Sequence, residues 1–370
     1  MLSYWEYKSW LQNVDFTIVG SGIVGINCAL ALRKKFPKAK IIILERGILP
    51  QGASTKNAGF ACFGSMSEIL DDLKSHSEEE ILNLIQKRWK GVQKVKSSLG
   101  DDKLQFQTLG GYEIFSEKET DLYNDCLEAR EKINLLLQPI FGQPVFEERP
   151  NSFGFGKTQK TILWNRFEGQ LDTGEMMLGL LDLAYKQGII VLNSTTVKSF
   201  EDNGDHVSVE TDQFSMKSEK LLIATNGFAK DILDEEVKPA RAQVLITKPI
   251  KDLNIQGTFH MYKGFNYFRN VADRILLGGG RHLNLREEQT TELGQTEEIK
   301  AYLTSLLDEV ILPETTFEID QWWSGIMGVG HKKRPIVKTV SPRVSCGVRL
   351  GGMGVAIGSA VGQELADLVS

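Results

Sequence analysis

The segment 15–36, DFTIVGSGIVGINCALALRKKF, contains a glycine-rich turn between two stretches that favour regular structure. The apolar run Asp15–Val19 predicts a short buried strand, and Ile23–Phe36, which ends in basic residues, predicts a helix. The next apolar run, Ile41–Leu44, is typical of a parallel strand covered on both faces. Together they form a βαβ unit of about 30 residues, so we expect an α/β fold.

Each glycine of the turn has a physical role. Gly20 permits the tight turn, Gly22 lets the backbone approach a pyrophosphate, and Gly25 lets the helix pack closely on the strand. The helix N-terminus presents free N–H groups and a partial positive charge to phosphates. Glu45 ends the second strand, where its carboxylate can accept hydrogen bonds from ribose hydroxyls and would repel a 2′-phosphate. The unit therefore predicts a dinucleotide site that disfavours NADP.

Two further features favour FAD over NAD. A loop of small residues, 46–59, follows Glu45, and its N–H groups and hydroxyls suit the phosphates and ribityl chain of an extended cofactor. The C-terminal segment 349–366 predicts a strand end, a glycine turn and a last helix. The N-terminus of that helix is a second partial positive charge, which suits the isoalloxazine N1 and C2=O, where negative charge develops on reduction.

These motifs, in this order, resemble the D-amino-acid-oxidase-like (DAO) superfamily of FAD-dependent oxidoreductases, which includes glycine oxidase and sarcosine oxidase. The resemblance spans nearly the whole chain and rests on GSGIVG with Glu45, GASTKNAGF (52–60), Lys220–Gly227, Arg241–Pro249, Asp273–Gly280, Trp323–Met327 and GGMGVAIG (351–358). It implies a Rossmann-like FAD-binding domain with an inserted substrate domain built on an antiparallel sheet. We assign 1–75, 165–230 and 325–370 to the FAD domain, and 76–164 and 231–324 to the substrate domain.

The resemblance also implies which residues contact FAD. We expect the cofactor to be bound noncovalently, because Asn57 stands where some relatives attach flavin through a histidine, and Cys346 lies on an apolar, packed strand. The predicted contacts are Gly20, Gly22, Ile23, Val24, Gly25, Glu45, Arg46, Gly52, Ala53, Ser54, Thr55, Asn57, Ala58, Gly59, Val197, Ala224, Thr225, Asn226, Gly227, Gly325, Gly352, Met353, Gly354, Val355 and Ala356.

The substrate anchors of the relatives are missing from the matching positions. Met327 stands where the glycine-oxidase branch has an arginine that binds the substrate carboxylate, and Ala356 stands where the sarcosine-oxidase branch has a lysine. An unpaired carboxylate in a closed site costs several kcal/mol. Either the substrate lacks an α-carboxylate, or another cation supplies the contact, with Arg281 the first candidate and Lys332 the second.

The resemblance implies oxidation of a C–N bond in a small amine or amino acid, with hydride transfer to flavin N5 and hydrolysis of the resulting imine. Reduced flavin is then reoxidised by O2 or another acceptor. Leu276 occupies the place of an oxygen-activating lysine of the sarcosine-oxidase branch, so the acceptor stays open. Besides Arg281 and Met327, the predicted substrate-site residues are Tyr267, which matches a roof tyrosine of the family, and Trp323, whose ring can hold a cationic amine.

Composition excludes several other classes of protein. The net charge of −5 argues against a nucleic-acid partner, and no apolar run approaches the length needed to span a bilayer. The four cysteines are scattered and the five histidines lack ligand spacing, so we predict no metal site and a reducing, cytoplasmic setting. Two alternatives remain: a flavin-dependent oxidase acting on a modified macromolecule, and a flavin-binding protein without turnover. The sequence does not decide the oligomeric state.

Overall fold

Two eight-stranded sheets, one two-stranded sheet and their covering helices make up the computed structural model, which describes residues 1–369. The strands are β1 (Val14–Val19), β2 (Ile41–Leu44), β3 (Phe60–Ala61), β4 (Gly111–Glu113), β5 (Phe146–Pro150), β6 (Thr161–Asn165), β7 (Gly169–Gln170), β8 (Ile190–Leu192), β9 (Val197–Asp202), β10 (Val207–Thr211), β11 (Ser215–Ile223), β12 (Lys238–Thr247), β13 (Thr258–Met261), β14 (Asn266–Val271), β15 (Arg274–Gly279), β16 (Ile319–Val329), β17 (Ile336–Ser341) and β18 (Val344–Val348). The helices are α1 (Tyr4–Glu6), α2 (Ile23–Lys35), α3 (Met66–Leu73), α4 (Glu78–Leu99), α5 (Asp101–Leu104), α6 (Thr120–Phe141), α7 (Thr173–Lys186), α8 (Glu297–Leu306) and α9 (Gly354–Asp367).

The first sheet has the order β17-β18-β11-β1-β2-β8, with the β9–β10 hairpin attached to β11. β1 lies between β11 and β2 and is parallel to both, and β8 continues the parallel arrangement. All four residues of β2 are buried, which explains its uninterrupted apolar sequence. The predicted βαβ unit is therefore confirmed.

Glycines let three helices pack closely on one side of this sheet. A Cβ on Gly362 of α9 would lie 2.6 Å from the carbonyl oxygen of Val24 in α2. A Cβ on Gly91 of α4 would lie 1.9 Å from the carbonyl oxygen of Ala356 in α9. Because both positions leave no room for a side chain, α9 is held tightly between α2 and α4, and its N-terminus is thereby positioned.

The second sheet has the order β16-β12-β15-β14-β13-β4-β6-β5 and is antiparallel except where β13 pairs with β4. Its core contains stacked aromatic rings, with the Phe259 and Phe268 centroids 4.6 Å apart. The mixed α/β fold class with a mainly antiparallel second sheet is as predicted.

The second sheet extends past the predicted domain limits. β16 continues past residue 325, the predicted start of the last FAD-domain segment, to Val329. A Cβ on Gly328 would lie 2.6 Å from Asn226 Oδ1, so this glycine marks a close approach within a continuing strand. β6, which ends at Asn165, also belongs to the second sheet. The division of the chain into two domains remains a prediction.

Across residues 1–369, no helix combines the length and the apolar character that crossing a membrane requires.

Candidate active site

A cavity of about 570 Å³ lies between the two sheets, a size typical of ligand sites. It is bordered by the carboxyl ends of β1 and β2, by the N-termini of α2 and α9, and by the facing side of the second sheet. The predicted cofactor contacts that line it are Gly20, Gly22, Ile23, Val24, Glu45, Arg46, Gly52, Ala53, Ser54, Asn57, Ala58, Val197, Ala224, Thr225, Asn226, Gly325, Gly352, Met353, Gly354 and Val355. The predicted contacts outside the lining are Gly25, Thr55, Gly59, Gly227 and Ala356.

The glycine turn has the close packing that its sequence predicts. Gly20 has a φ of +103°, and a Cβ there would lie 2.9 Å from the carbonyl oxygen of Ala224. A Cβ on Gly25 would lie 1.9 Å from the carbonyl oxygen of Gly20. Gly25 therefore supports the turn from behind, which accounts for its place outside the cavity wall.

Glu45 is held at the end of β2 by four donors. Its Oε2 accepts hydrogen bonds from the N–H and the hydroxyl of Ser21, at 3.0 and 2.7 Å. Its Oε1 accepts from the N–H groups of Gly47 and Gln51, at 3.0 and 3.3 Å. Only 5% of Glu45 is exposed, and that surface lines the cavity. The carboxylate is thus fixed beside the glycine turn, and protein donors occupy its lone-pair sites in this structure.

Two long helices begin at the cavity without a side-chain cap. Gly22 precedes α2 and Met353 precedes α9, and neither provides a capping hydrogen bond. One α2 amide, that of Ile23, donates to Ser54 Oγ at 3.0 Å. The other first-turn amides and the helix dipoles favour negative charge in the cavity. Thr225 Oγ1, also in the cavity wall, is buried and has no hydrogen-bond partner within residues 1–369.

The loop after Glu45 is braced by its own polar side chains. The Thr55 hydroxyl donates to the carbonyl of Pro50 at 2.7 Å, which turns it away from the cavity. Asn57 donates to the carbonyl of Ser54 at 2.9 Å and accepts from the N–H of Gly59 at 2.8 Å. These bonds shape a loop whose cavity-facing residues include Gly52, Ala53, Ser54, Asn57 and Ala58.

Three of the four predicted substrate-site residues line the same cavity: Tyr267, Arg281 and Met327. Burial raises the pKa of Tyr267 to about 12, so its hydroxyl stays protonated. Burial lowers the pKa of Arg281, whose guanidinium makes no hydrogen bond to residues 1–369. The backup candidate Lys332 also lines the cavity.

Trp323 lies behind the residues that form the cavity wall and does not itself line the cavity. Its indole N–H donates to the carbonyl of Lys56 at 2.9 Å, and its ring packs in a cluster with Val244 and Leu276. Trp322 points to the opposite face of β16, against the core of the second sheet. The two rings therefore point to opposite faces of β16. The ring of Trp323 braces the cofactor loop and is not in the cavity wall.

His260 is a cavity residue that the sequence analysis missed, because no spacing motif includes it. It lies on β13 directly opposite Tyr267 of β14 and is 5% exposed. Its Nε2–H donates a short hydrogen bond to Oε1 of the buried Glu168. Burial opposes its protonation, but the Glu168 carboxylate outweighs burial and raises the pKa of His260 to about 9. His260 is therefore a cation at neutral pH.

Cys62, Glu168 and His260 bring ligand atoms within 4.8 Å of one another, although the sequence predicted no metal site. His260 and Glu168 are joined by a direct hydrogen bond, so their closest atoms are nearer than two ligands of one ion would be. Burial, followed by the negative charges of Glu168 and Glu68, raises the pKa of the Cys62 thiol. The cluster has the character of an ion pair beside a neutral thiol.

Comparisons with known proteins agree with this geometry. The model of the family DAO, FAD dependent oxidoreductase, matches residues 15–368. The probable oxidoreductase OrdL of Haemophilus influenzae is 19% identical over 97% of this chain and 83% of that protein. L-proline dehydrogenase from P. horikoshii has a TM-score of 0.74 and 18% identity, over 97% of this chain and 94% of that one. Glycine oxidase from Geobacillus kaustophilus has the same TM-score and identity, over 96% and 94%.

Proposed function

Because the chain belongs to the DAO family of FAD-dependent oxidoreductases, we propose that it oxidises the C–N bond of a small amine or amino acid. FAD is its cofactor, and the cavity fits that group. The cavity brings together the glycine turn, the fixed Glu45 carboxylate and the N-termini of two helices that their own N-cap residues leave uncapped. The observation that carries the proposal is that Tyr267 and Met327, at the family's substrate-site positions, line this same cavity.

The similar structures support a small-molecule substrate. Those proteins are named as an L-proline dehydrogenase, a glycine oxidase and an L-amino acid deaminase. All act on compounds with a C–N bond next to a carboxylate, although at 18% identity they share the fold alone with this chain. The cavity lies between the sheets, which favours a compact substrate over a macromolecule.

We assign the chain's own residues to orientation and electrostatics. When bound, FAD accepts the hydride from the substrate carbon. Tyr267 stays protonated and offers a hydrogen-bond donor from the roof of the cavity. The uncapped N-terminus of α9 favours negative charge at its end of the site. An amine substrate must be neutral at nitrogen to release hydride, and water then hydrolyses the imine product. The electron acceptor is O2 or another oxidant.

We also propose a cellular location for the protein from the state of its cysteines. Cys28, Cys62, Cys126 and Cys346 are all unpaired and buried, which supports a reducing compartment such as the cytoplasm.

Anaerobic reduction of the bound flavin tests the proposal. The purified protein is mixed with a panel of amines and amino acids in the absence of oxygen, and the visible flavin absorbance is followed. At least one compound should bleach the flavin, and the corresponding imine hydrolysis product and ammonia or amine should appear in equal amount. Bound flavin that no member of the panel reduces would argue for a flavin-binding protein without turnover.

A further inference from the structure

His260 and Tyr267 form a pair of polar side chains on the roof of the cavity. They are Cα partners in the antiparallel β13–β14 ladder, so their side chains leave the sheet on the same face. Both line the cavity, and both pack edge-on against the ring of Phe60, at centroid distances of 5.3 and 5.7 Å. His260 and Tyr267 therefore present two separate hydrogen-bonding groups to this part of the cavity, with the Tyr267 ring lying over Gly278 of β15.

The pair has unused donor capacity. The Nε2–H of His260 is taken by Glu168, but Nδ1 has no hydrogen-bond partner in the described part of the chain. The Tyr267 hydroxyl likewise has none there. With the ring protonated, Nδ1 carries a hydrogen that only a ligand or water can accept. Both residues line the cavity, so acceptor oxygens of a ligand bound there can pair with these groups.

Glu168 fixes the position and the charge of His260. It is 1% exposed, and its carboxylate occupies space that only a glycine at position 111 leaves free, since a Cβ there would lie 2.0 Å from Glu168 Oε2. The hydrogen bond from Nε2–H therefore ties the imidazolium to a carboxylate that is itself confined. A charged donor that cannot reorient is suited to hold a ligand group in one place.

Resting on the proposed function, we propose that His260 is the specificity-determining anchor of this enzyme: its Nδ1–H binds the carboxylate of an amino-acid substrate. His260 thereby supplies the positive charge that Met327 cannot provide, from a different wall of the same cavity. Charge-assisted hydrogen bonds of this kind are roughly twice as strong as neutral ones. The substrate class is thereby narrowed from amines in general to amino acids.

Arg281 is the competing cation, and its setting is less suited to the role. Its guanidinium lies 5.8 Å from the ring of Phe265, a side chain that is 37% exposed, so it sits near the rim of the cavity. No carboxylate among residues 1–369 makes an ion pair with Arg281 that would hold it in one orientation. His260, in contrast, is held from behind and lies deeper.

Other charged groups face His260 and influence its protonation. Glu68 and Glu113 both favour its protonation, in addition to Glu168. Glu113 accepts hydrogen bonds from Ser65 at 2.8 Å and from the N–H of Ser67 at 3.1 Å, while burial raises its pKa. The thiol of Cys62 is neutral.

Ligand binding to the FAD-loaded enzyme tests the anchor without turnover. Acetate, propionate, 2-furoate and benzoate are titrated by calorimetry at pH 7, each beside its primary amide. We expect the best-binding acid to exceed its amide at least tenfold in affinity, and His260→Gln to abolish that preference while leaving amide binding within threefold. His206→Gln, the same change at a histidine of the β9–β10 turn outside the cavity, should keep the preference.

Two further measurements distinguish the charge of His260 from a structural role. The preference for the acid should fall as the pH rises through about 9, since the imidazolium is lost there. Glu168→Gln should move that fall to lower pH, and this variant keeps the test valid if His260→Gln does not fold. Absence of carboxylate binding, a preference that survives His260→Gln, or its loss only in Arg281→Gln would overturn the proposal. If amines still bleach the flavin in that case, the anchor is wrong and the proposed function stands.

Discussion

Glu45 accepts two hydrogen bonds from Ser21, the second residue of the glycine turn, and so joins the end of β2 to the start of α2. The carboxylate is therefore oriented by the protein before any cofactor arrives. Because the carboxylate is preorganised, substitution of Glu45 is a direct test of the assigned FAD site.

Removing the Glu45 carboxylate should weaken FAD binding. If it accepts the ribose hydroxyls, Glu45→Ala should cost about 1.5–3 kcal/mol of FAD-binding free energy, the range for hydrogen bonds to a charged group. The affinity is measured by titrating apoprotein with FAD and following flavin fluorescence. Glu45→Gln, which keeps one acceptor oxygen, should lose less. Unchanged affinity in Glu45→Ala would remove this residue from the site.

FAD should be released intact when the protein is unfolded. Asn57 is occupied in bracing its loop, and Cys346 is fully buried in β18 and does not line the cavity. Cys62 does line it, but its raised pKa disfavours the thiolate needed for attachment. After denaturation and filtration, the yellow colour should pass into the filtrate. Flavin fluorescence that comigrates with the unfolded chain on a denaturing gel would contradict this prediction.

Matched substrate pairs should show the effect of the His260 anchor on the reaction itself. Met327, considered by itself, predicts a preference for amines without an α-carboxylate. His260, however, adds a fixed cation to the cavity wall. We expect an amino acid to reduce the flavin at least tenfold faster than its decarboxylated amine under anaerobic conditions. His260→Gln should bring the two rates together. A selective loss of amino-acid turnover in Arg281→Met, with His260→Gln unaffected, would place the anchor at Arg281.

Gly91→Ala should separate α4 from α9. The new Cβ would lie 1.9 Å from the carbonyl oxygen of Ala356, so a helix must shift, at a cost of about 1–3 kcal/mol in the free energy of unfolding. The shift also displaces the N-terminus of α9 from the cavity, so FAD should bind more weakly. The exposed neighbour substitution Lys90→Ala is the control and should change stability by less than about 0.5 kcal/mol. Chemical denaturation with and without FAD measures both effects.

Raising the pH should destabilise the fold through the His260–Glu168 pair. The pKa of His260 rises from 6.5 to about 9 on folding, so the pair stabilises fully below about pH 6.5 and loses its contribution as the pH passes about 9. A shift of this size corresponds to on the order of 3 kcal/mol. Unfolding free energies at pH 6.5 and 9.5 should therefore differ more in the natural protein than in His260→Gln. Parallel pH profiles would show that the pair does not titrate in this range.

The sequence by itself determined the parts of this protein that depend on neighbours along the chain. The strand, glycine turn, helix and second strand of 15–45 were predicted with their limits nearly correct, because hydrophobic period and glycine placement are local signals. The same unit and the family motifs of fixed spacing predicted Glu45 and the other cofactor contacts, most of which line one cavity. The same motifs placed Tyr267, Arg281 and Met327 in one cavity.

Tertiary structure alone decided which distant side chains meet. His260 and Glu168 are 92 residues apart, and neither belongs to a motif; the sheet register brings His260 opposite Tyr267, and Gly111 leaves the space for Glu168. The same holds for Gly328 of β16, which permits a close approach to Asn226. Charge pairs and backbone contacts of this kind depend on positions in space, which no local pattern of residues encodes.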